Sequence, residues 1–172
     1  MLLAIGQGAL LVTPLQLAVG YAAIANGGYV VTPHIGDDIE DDSDGTHLIR
    51  DLTSNFPRRK VALEPGLLTA IHTGLEEATH DPLGTAAPVF SHFKIDVAGK
   101  TGTAQRTGEP DTAIFASYAP ANDPKLVVIV LISKGGHGGS AAAPTALDFY
   151  SRYFGLTPPS EATLQSFSDK ST

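Results

Sequence analysis

Residues 94–133 read KIDVAGKTGTAQRTGEPDTAIFASYAPANDPKLVVIVLIS, and three strand-like runs lie within them, at 94–105, 112–119 and 126–133. The turn-forming clusters Gly108-Glu109-Pro110 and Ala121-Asn122-Asp123-Pro124 separate them. Connections this short join antiparallel neighbours, because a parallel crossover needs a dozen residues or more. The third run, Leu126-Val127-Val128-Ile129-Val130-Leu131-Ile132, has no polar alternation. It predicts a central strand covered on both faces.

Helical patterns flank these strands. Thr13-Pro14-Leu15-Gln16 has the form of a capping box, with Thr13 as N-cap and Pro14 at the first helical position. The helix it opens runs through Leu17, Ala18, Tyr21, Ala22 and Ala25, and Gly27-Gly28 stops it. A second helix is expected from Glu64-Pro65, burying Leu67, Leu68, Ile71, Leu75 and Ala78. A Gly-rich turn at 135–139 leads into a last helix over about 141–154, with Leu147, Tyr150 and Phe154 on one stripe. Strands grouped together with helices before and after them give an α+β layered domain: three antiparallel strands with flanking helices.

Charge and composition exclude several classes of function. Of the formal net charge of −7, six units come from Asp37, Asp38, Glu40, Asp41, Asp42 and Asp44. Such a run reads as a solvated loop, and the near-neutral remainder offers no basic face for nucleic acid. Residues 36–60 read mostly as loop with one weak hairpin. The chain has no cysteine, so thiolate metal sites and disulfides are excluded. His72 and His80 are eight apart rather than four, and no carboxylate completes a triad, so surface or capping roles are expected and no metal. The apolar start, 1–15, lacks the basic region of a signal peptide. A membrane anchor is expected outside this chain.

The densest chemical signal is Ala98-Gly99-Lys100-Thr101-Gly102-Thr103-Ala104-Gln105. On a strand of period two, Thr101 and Thr103 share a face. Their hydroxyls can donate to a carboxylate, Lys100 adds positive charge, and Gly102 lets a ligand backbone lie close. This suits a peptide-like ligand with a free carboxyl end. A phosphate-binding loop is disfavoured, because its pattern needs glycine where Lys94 stands and a helix where strand and turn follow. A structural hairpin with incidental glycines stays open on these residues alone.

Ile5-Gly6-Gln7-Gly8, Val12-Thr13-Pro14-Leu15-Gln16 and Ala25-Asn26-Gly27-Gly28, all upstream of Gly99-Lys100-Thr101-Gly102-Thr103-Ala104, resemble the penicillin-binding protein transpeptidases. The resemblance is strongest to class B, of the penicillin-binding protein 2 kind. Phe115, Tyr118-Ala119-Pro120 and the Gly-rich turn stand at matching places. The resemblance implies a partial β-lactamase/transpeptidase-like fold, with 1–155 as the C-terminal portion of the domain, 37–60 as an insertion and 156–172 as a flexible tail. It implies serine acyl transfer that cross-links peptidoglycan stem peptides ending in D-Ala-D-Ala, with β-lactams trapping the same serine. Partners would be the cell-wall elongation or division machinery, on the extracytoplasmic face of the bacterial cytoplasmic membrane, with no cofactor. Lys100 would tune the field at the active site, Thr101 and Thr103 would hold the substrate carboxylate, and the Thr103 backbone N–H would serve the oxyanion hole. Gln7 and Gly8 would help shape the active-site side of the helical region.

The family's other two motifs depart from the pattern. No S-x-N occurs in the chain, and its one S-x-x-K, Ser91-His92-Phe93-Lys94, lies just before the strand that carries Lys100 rather than far upstream. Asp111-Thr112 stands where many relatives open the next strand with His or Ser. The chain alone is therefore expected to be inactive, and Met1 to be a truncation point or internal start. A non-catalytic penicillin-binding or sensor module of the same fold is the competing reading.

Overall fold

The computed structural model describes residues 10–36, 38–40, 48–51, 59–106 and 108–169. The segment around Ile5-Gly6-Gln7-Gly8 and most of the acidic run lie outside them. Helix α1 (Pro14–Ala25) opens on the expected reciprocal cap, with the Gln16 N–H donating to Thr13 Oγ1 at 3.2 Å and the Thr13 N–H to Gln16 Oε1 at 2.9 Å. It ends where Gly27 and Gly28 take φ of 83° and 101°. The Asn26 side chain brackets the exit, bonding both the N–H and the carbonyl of Tyr29 at 2.8 Å.

Strand β1 (Tyr29–Val30) pairs with β4 (Arg59–Lys60), and between them β2 (Asp38–Glu40) pairs with β3 (Leu48–Asp51) as the weak hairpin. Helix α2 (Pro65–His80) and the one-turn α3 (Ala87–Phe90) follow. Then comes the antiparallel sheet of β5 (Ala98–Arg106), β6 (Glu109–Ala119) and β7 (Leu126–Ile132), in that spatial order. A wide helical turn, Gly138–Ala142, feeds α4 (Ala143–Tyr153).

Two expectations change here. The central strand is β6, not Leu126–Ile132, which is an outer strand of this sheet among the described residues. Its unbroken apolar run has another cause: α1 lies against one part of it and α4 against another, so both faces are partly covered, Val128 being buried and Leu131 exposed, although one edge is unpaired among the described residues. The tail, expected to be flexible over 156–172, carries a further helix, α5 (Glu161–Asp169). Ser160 starts it, accepting the Thr163 N–H at 3.2 Å. None of the described helices is long and apolar enough to cross a membrane.

Cores on both faces of the sheet make a layered α+β structure. On one face Phe90 stacks on Phe115 at 5.3 Å between ring centroids, and Tyr150 meets Phe90 edge-on at 6.5 Å. Val97, Ala113, Val128, Ala146 and Leu147 fill the same core. On the other face Leu75, Ala98 and Tyr118 pack with Tyr21, Ile24 and Ile71 of α1 and α2. His72 takes part there rather than at the surface. Its Nε2 lies 2.9 Å from the Ile24 carbonyl, which ties α2 to α1 and requires that nitrogen to carry the proton. His80 sits at the C-terminal end of α2, with Nδ1 2.9 Å from Thr79 Oγ1 and Nε2 3.5 Å from Asp96.

Candidate active site

Among the described residues, strand β5 is paired with another strand along one edge only. Thr101 faces Phe115, Gly102 faces Ile114 and Thr103 faces Ala113 across the ladder with β6. Among the described residues no strand pairs with the opposite edge of β5. An open edge of this kind is where an extended peptide can add as another strand.

Thr101 and Thr103 both open onto a cleft of about 480 Å³, with Thr85, Pro88, Val89, His137, Gly138, Gly139, Ser140 and Phe167 around it. Thr101 Oγ1 lies 2.7 Å from Thr85 Oγ1. Lys100, on the alternate register position, turns its ammonium back to donate to Thr101 Oγ1 at 3.2 Å and to the Thr101 carbonyl at 2.9 Å. Lys100 can only donate, whereas either threonine hydroxyl can donate in the Thr85–Thr101 bond; with Thr85 as donor, Thr101 accepts from both neighbours and keeps its own proton to offer a ligand. That is the polarity a bound carboxylate requires.

Two glycines explain how the cleft is assembled. A Cβ on Gly138 would lie 2.2 Å from the Ile114 carbonyl oxygen and 2.6 Å from that of Gly102. A Cβ on Gly139 would lie 2.6 Å from the Thr85 carbonyl oxygen. Only bare backbone fits at either position, so the 138–142 turn lies directly against β5, β6 and the loop before α3. The Gly-rich stretch at 135–139, which reads in the sequence as a connection, is thus one wall of the site.

Of the four residues singled out from the sequence, the structure brings Thr101 and Thr103 into the cleft, and Lys100 reaches it through Thr101. Gly102 does not line it. A Cβ there would face the Ile114 side chain at 3.4 Å. Ser91 is exposed, just past the C-terminal end of α3, and is not part of the cleft. Thr85, His137 and Ser140 escape a sequence reading because they lie 16, 36 and 39 positions from Thr101, and only folding brings them together.

A model of the penicillin binding protein transpeptidase domain matches residues 1–151. The chain belongs to this family. It is 35% identical over 171 residues to the peptidoglycan D,D-transpeptidase MrdA of Haemophilus influenzae, a match that covers 85% of this chain and 25% of that protein. It is 32% identical over 152 residues to the peptidoglycan D,D-transpeptidase PbpA of Mycolicibacterium smegmatis, covering 81% and 29%. The crystal structure of Pseudomonas aeruginosa PBP2 in complex with WCK 5153 superposes with a TM-score of 0.74 at 32% identity, covering 88% of this chain and 31% of that one. Penicillin-binding protein A of Mycobacterium tuberculosis, as its imipenem acyl-enzyme complex, superposes at 0.68 with 26% identity, covering 83% and 31%. The chain thus has the fold of penicillin-binding transpeptidase domains and spans about a quarter of the length of the curated relatives it matches.

Proposed function

We propose that this chain is the substrate-docking portion of a peptidoglycan D,D-transpeptidase of the penicillin-binding protein 2 kind. The observation that carries the proposal is the pair of hydroxyls on the open β5 edge. Thr101 and Thr103 face one cleft, and the Lys100 ammonium polarises Thr101. A stem peptide ending in D-Ala-D-Ala would lie along β5, its terminal carboxylate accepting from both hydroxyls. The Thr103 N–H would stabilise the oxyanion as acyl transfer proceeds. β-Lactams, which carry a comparable carboxylate, would enter the same way.

The nucleophilic serine and its lysine would come from sequence outside these 172 residues, since Ser91 does not line the cleft and no S-x-N is present. The working protein would act on the extracytoplasmic face of the cytoplasmic membrane, with cell-wall elongation or division machinery as partners.

Labelling by a fluorescent penicillin, followed on a denaturing gel, tests this. The full-length product of the gene should be labelled covalently, and the isolated chain should not. Labelling of the isolated chain would overturn the assignment of the nucleophile to other sequence. An unlabelled full-length product that still binds penicillin reversibly would instead support the non-catalytic sensor module.

A further inference from the structure

The geometry points to Phe167 as a specificity-determining residue that limits the size of the side chain next to the bound carboxylate. The inference rests on the docking role proposed above for Thr101 and Thr103. The family match ends at residue 151, whereas α5 spans Glu161–Asp169. Phe167 is therefore a contribution to the cleft from outside the matched domain.

The chain is steered back to the site by its own local chemistry. Gly155, at φ 67°, ends α4 in a left-handed turn, and the Leu156 N–H donates back to the Ser151 carbonyl at 2.7 Å. Pro158-Pro159 stiffens the return, and Ser160 then caps α5. Leu164 and Phe167, three apart on one helical face, are half-buried while the positions between them are exposed. Phe167 packs against the main core, and α5 lies on the 138–142 turn that walls the cleft. A helix this short does not hold by propensity alone, so these contacts decide where it sits.

The cleft's lining is of two chemical kinds. Thr85, Thr101, Thr103 and Ser140 supply hydroxyls, while Pro88, Val89 and Phe167 supply the apolar part of its wall. A carboxylate held by Thr101 and Thr103 places its own α-substituent against that wall. A methyl group gains contact there, and a branched side chain meets the aromatic ring.

The test is equilibrium binding, by ligand-observed NMR on the full-length gene product, of N-acetyl-D-Ala-D-Ala, N-acetyl-D-Ala-Gly and N-acetyl-D-Ala-D-Leu. The wild type should favour D-Ala. Phe167→Ala should shift the D-Leu to D-Ala affinity ratio toward D-Leu by about fourfold or more, the equivalent of one buried methylene. Removal of residues 157–172 should do the same, and Phe167→Leu, which keeps an apolar anchor for α5, should fall between. Thr101→Val should weaken all three ligands by a similar factor. A ratio that stays within twofold in both Phe167→Ala and the truncation, with Thr101→Val still weakening binding, would overturn this inference alone. Unchanged affinity in Thr101→Val would overturn the docking role beneath it.

Discussion

Gly138→Ala is the substitution that most directly probes how the cleft is built. The added methyl would sit 2.2 Å from the Ile114 carbonyl oxygen, 2.6 Å from the Gly102 oxygen and 3.0 Å from the Gly102 nitrogen. Carbon and a carbonyl oxygen ordinarily approach no closer than about 3.3 Å. All three obstructing atoms are backbone, held in the β5–β6 ladder, so no side chain can swing away. The 138–142 turn must instead retreat by about an ångström, taking His137, Gly139 and Ser140 off the cleft. Overpacking costs typically 1–3 kcal/mol, and an obstruction made wholly of backbone belongs near about 3 kcal/mol. For a domain of this size that corresponds to a fall in Tm of about 10 °C. The measurement is thermal unfolding by circular dichroism at low protein concentration, with amide exchange across 101–106 as the local probe. Gly20→Ala serves as the control, because its added Cβ meets nothing within 4 Å in the middle of α1. It should stabilise by about 0.5–1 kcal/mol. A Gly138→Ala protein that melts within 2 °C of wild type, with unchanged exchange at 101–106, would refute the claim that bare backbone at this position assembles the site.

Three further outcomes are expected. The Tyr118 hydroxyl is buried without a hydrogen-bond partner among the described residues, and its pKa is pushed up to about 12 by burial, then by Glu76 and Tyr21. The unfolded chain loses this proton near pH 10 and the folded one near 12, so the stability tied to it is whole below pH 10 and lost as pH rises toward 12. Tyr118→Phe should leave stability at pH 7 equal or raised by about 1 kcal/mol and soften the alkaline loss, as read by urea unfolding between pH 7 and 11. Ser117→Ala should cost about 1–3 kcal/mol in the same assay, because Ser117 Oγ bonds the Val128 carbonyl at 3.2 Å and the buried Tyr150 hydroxyl at 2.9 Å, and Tyr150 would be left unpaired. Finally, the apolar outer strand β7 should make the isolated chain self-associate, and Leu131→Lys, at a position 43% exposed, should reduce this in size-exclusion chromatography. A monodisperse wild-type monomer would contradict that reading.

Local rules written into the chain were enough for much of this structure. The Thr13–Gln16 cap, the stop at Gly27-Gly28 and the helix opening at Pro65 depend on neighbours within a few residues, so they are legible without tertiary knowledge. The three strands and their antiparallel order follow from two short turns. Period two likewise places Thr101 and Thr103 on one face, which is why two of the cleft's four hydroxyls could be named from an eight-residue stretch.

Only the tertiary structure decided the rest. Whether Leu126–Ile132 is central or outer depends on which strand finds its other edge, and an apolar run reports face burial, not edge pairing. The places of Thr85, His137 and Phe167 around the cleft arise because a turn of bare glycine backbone packs against β5 and a short C-terminal helix packs on that turn. Contacts between residues so far apart in sequence leave no periodic trace along the chain. They exist only once the hydrophobic faces have packed and brought those segments within reach.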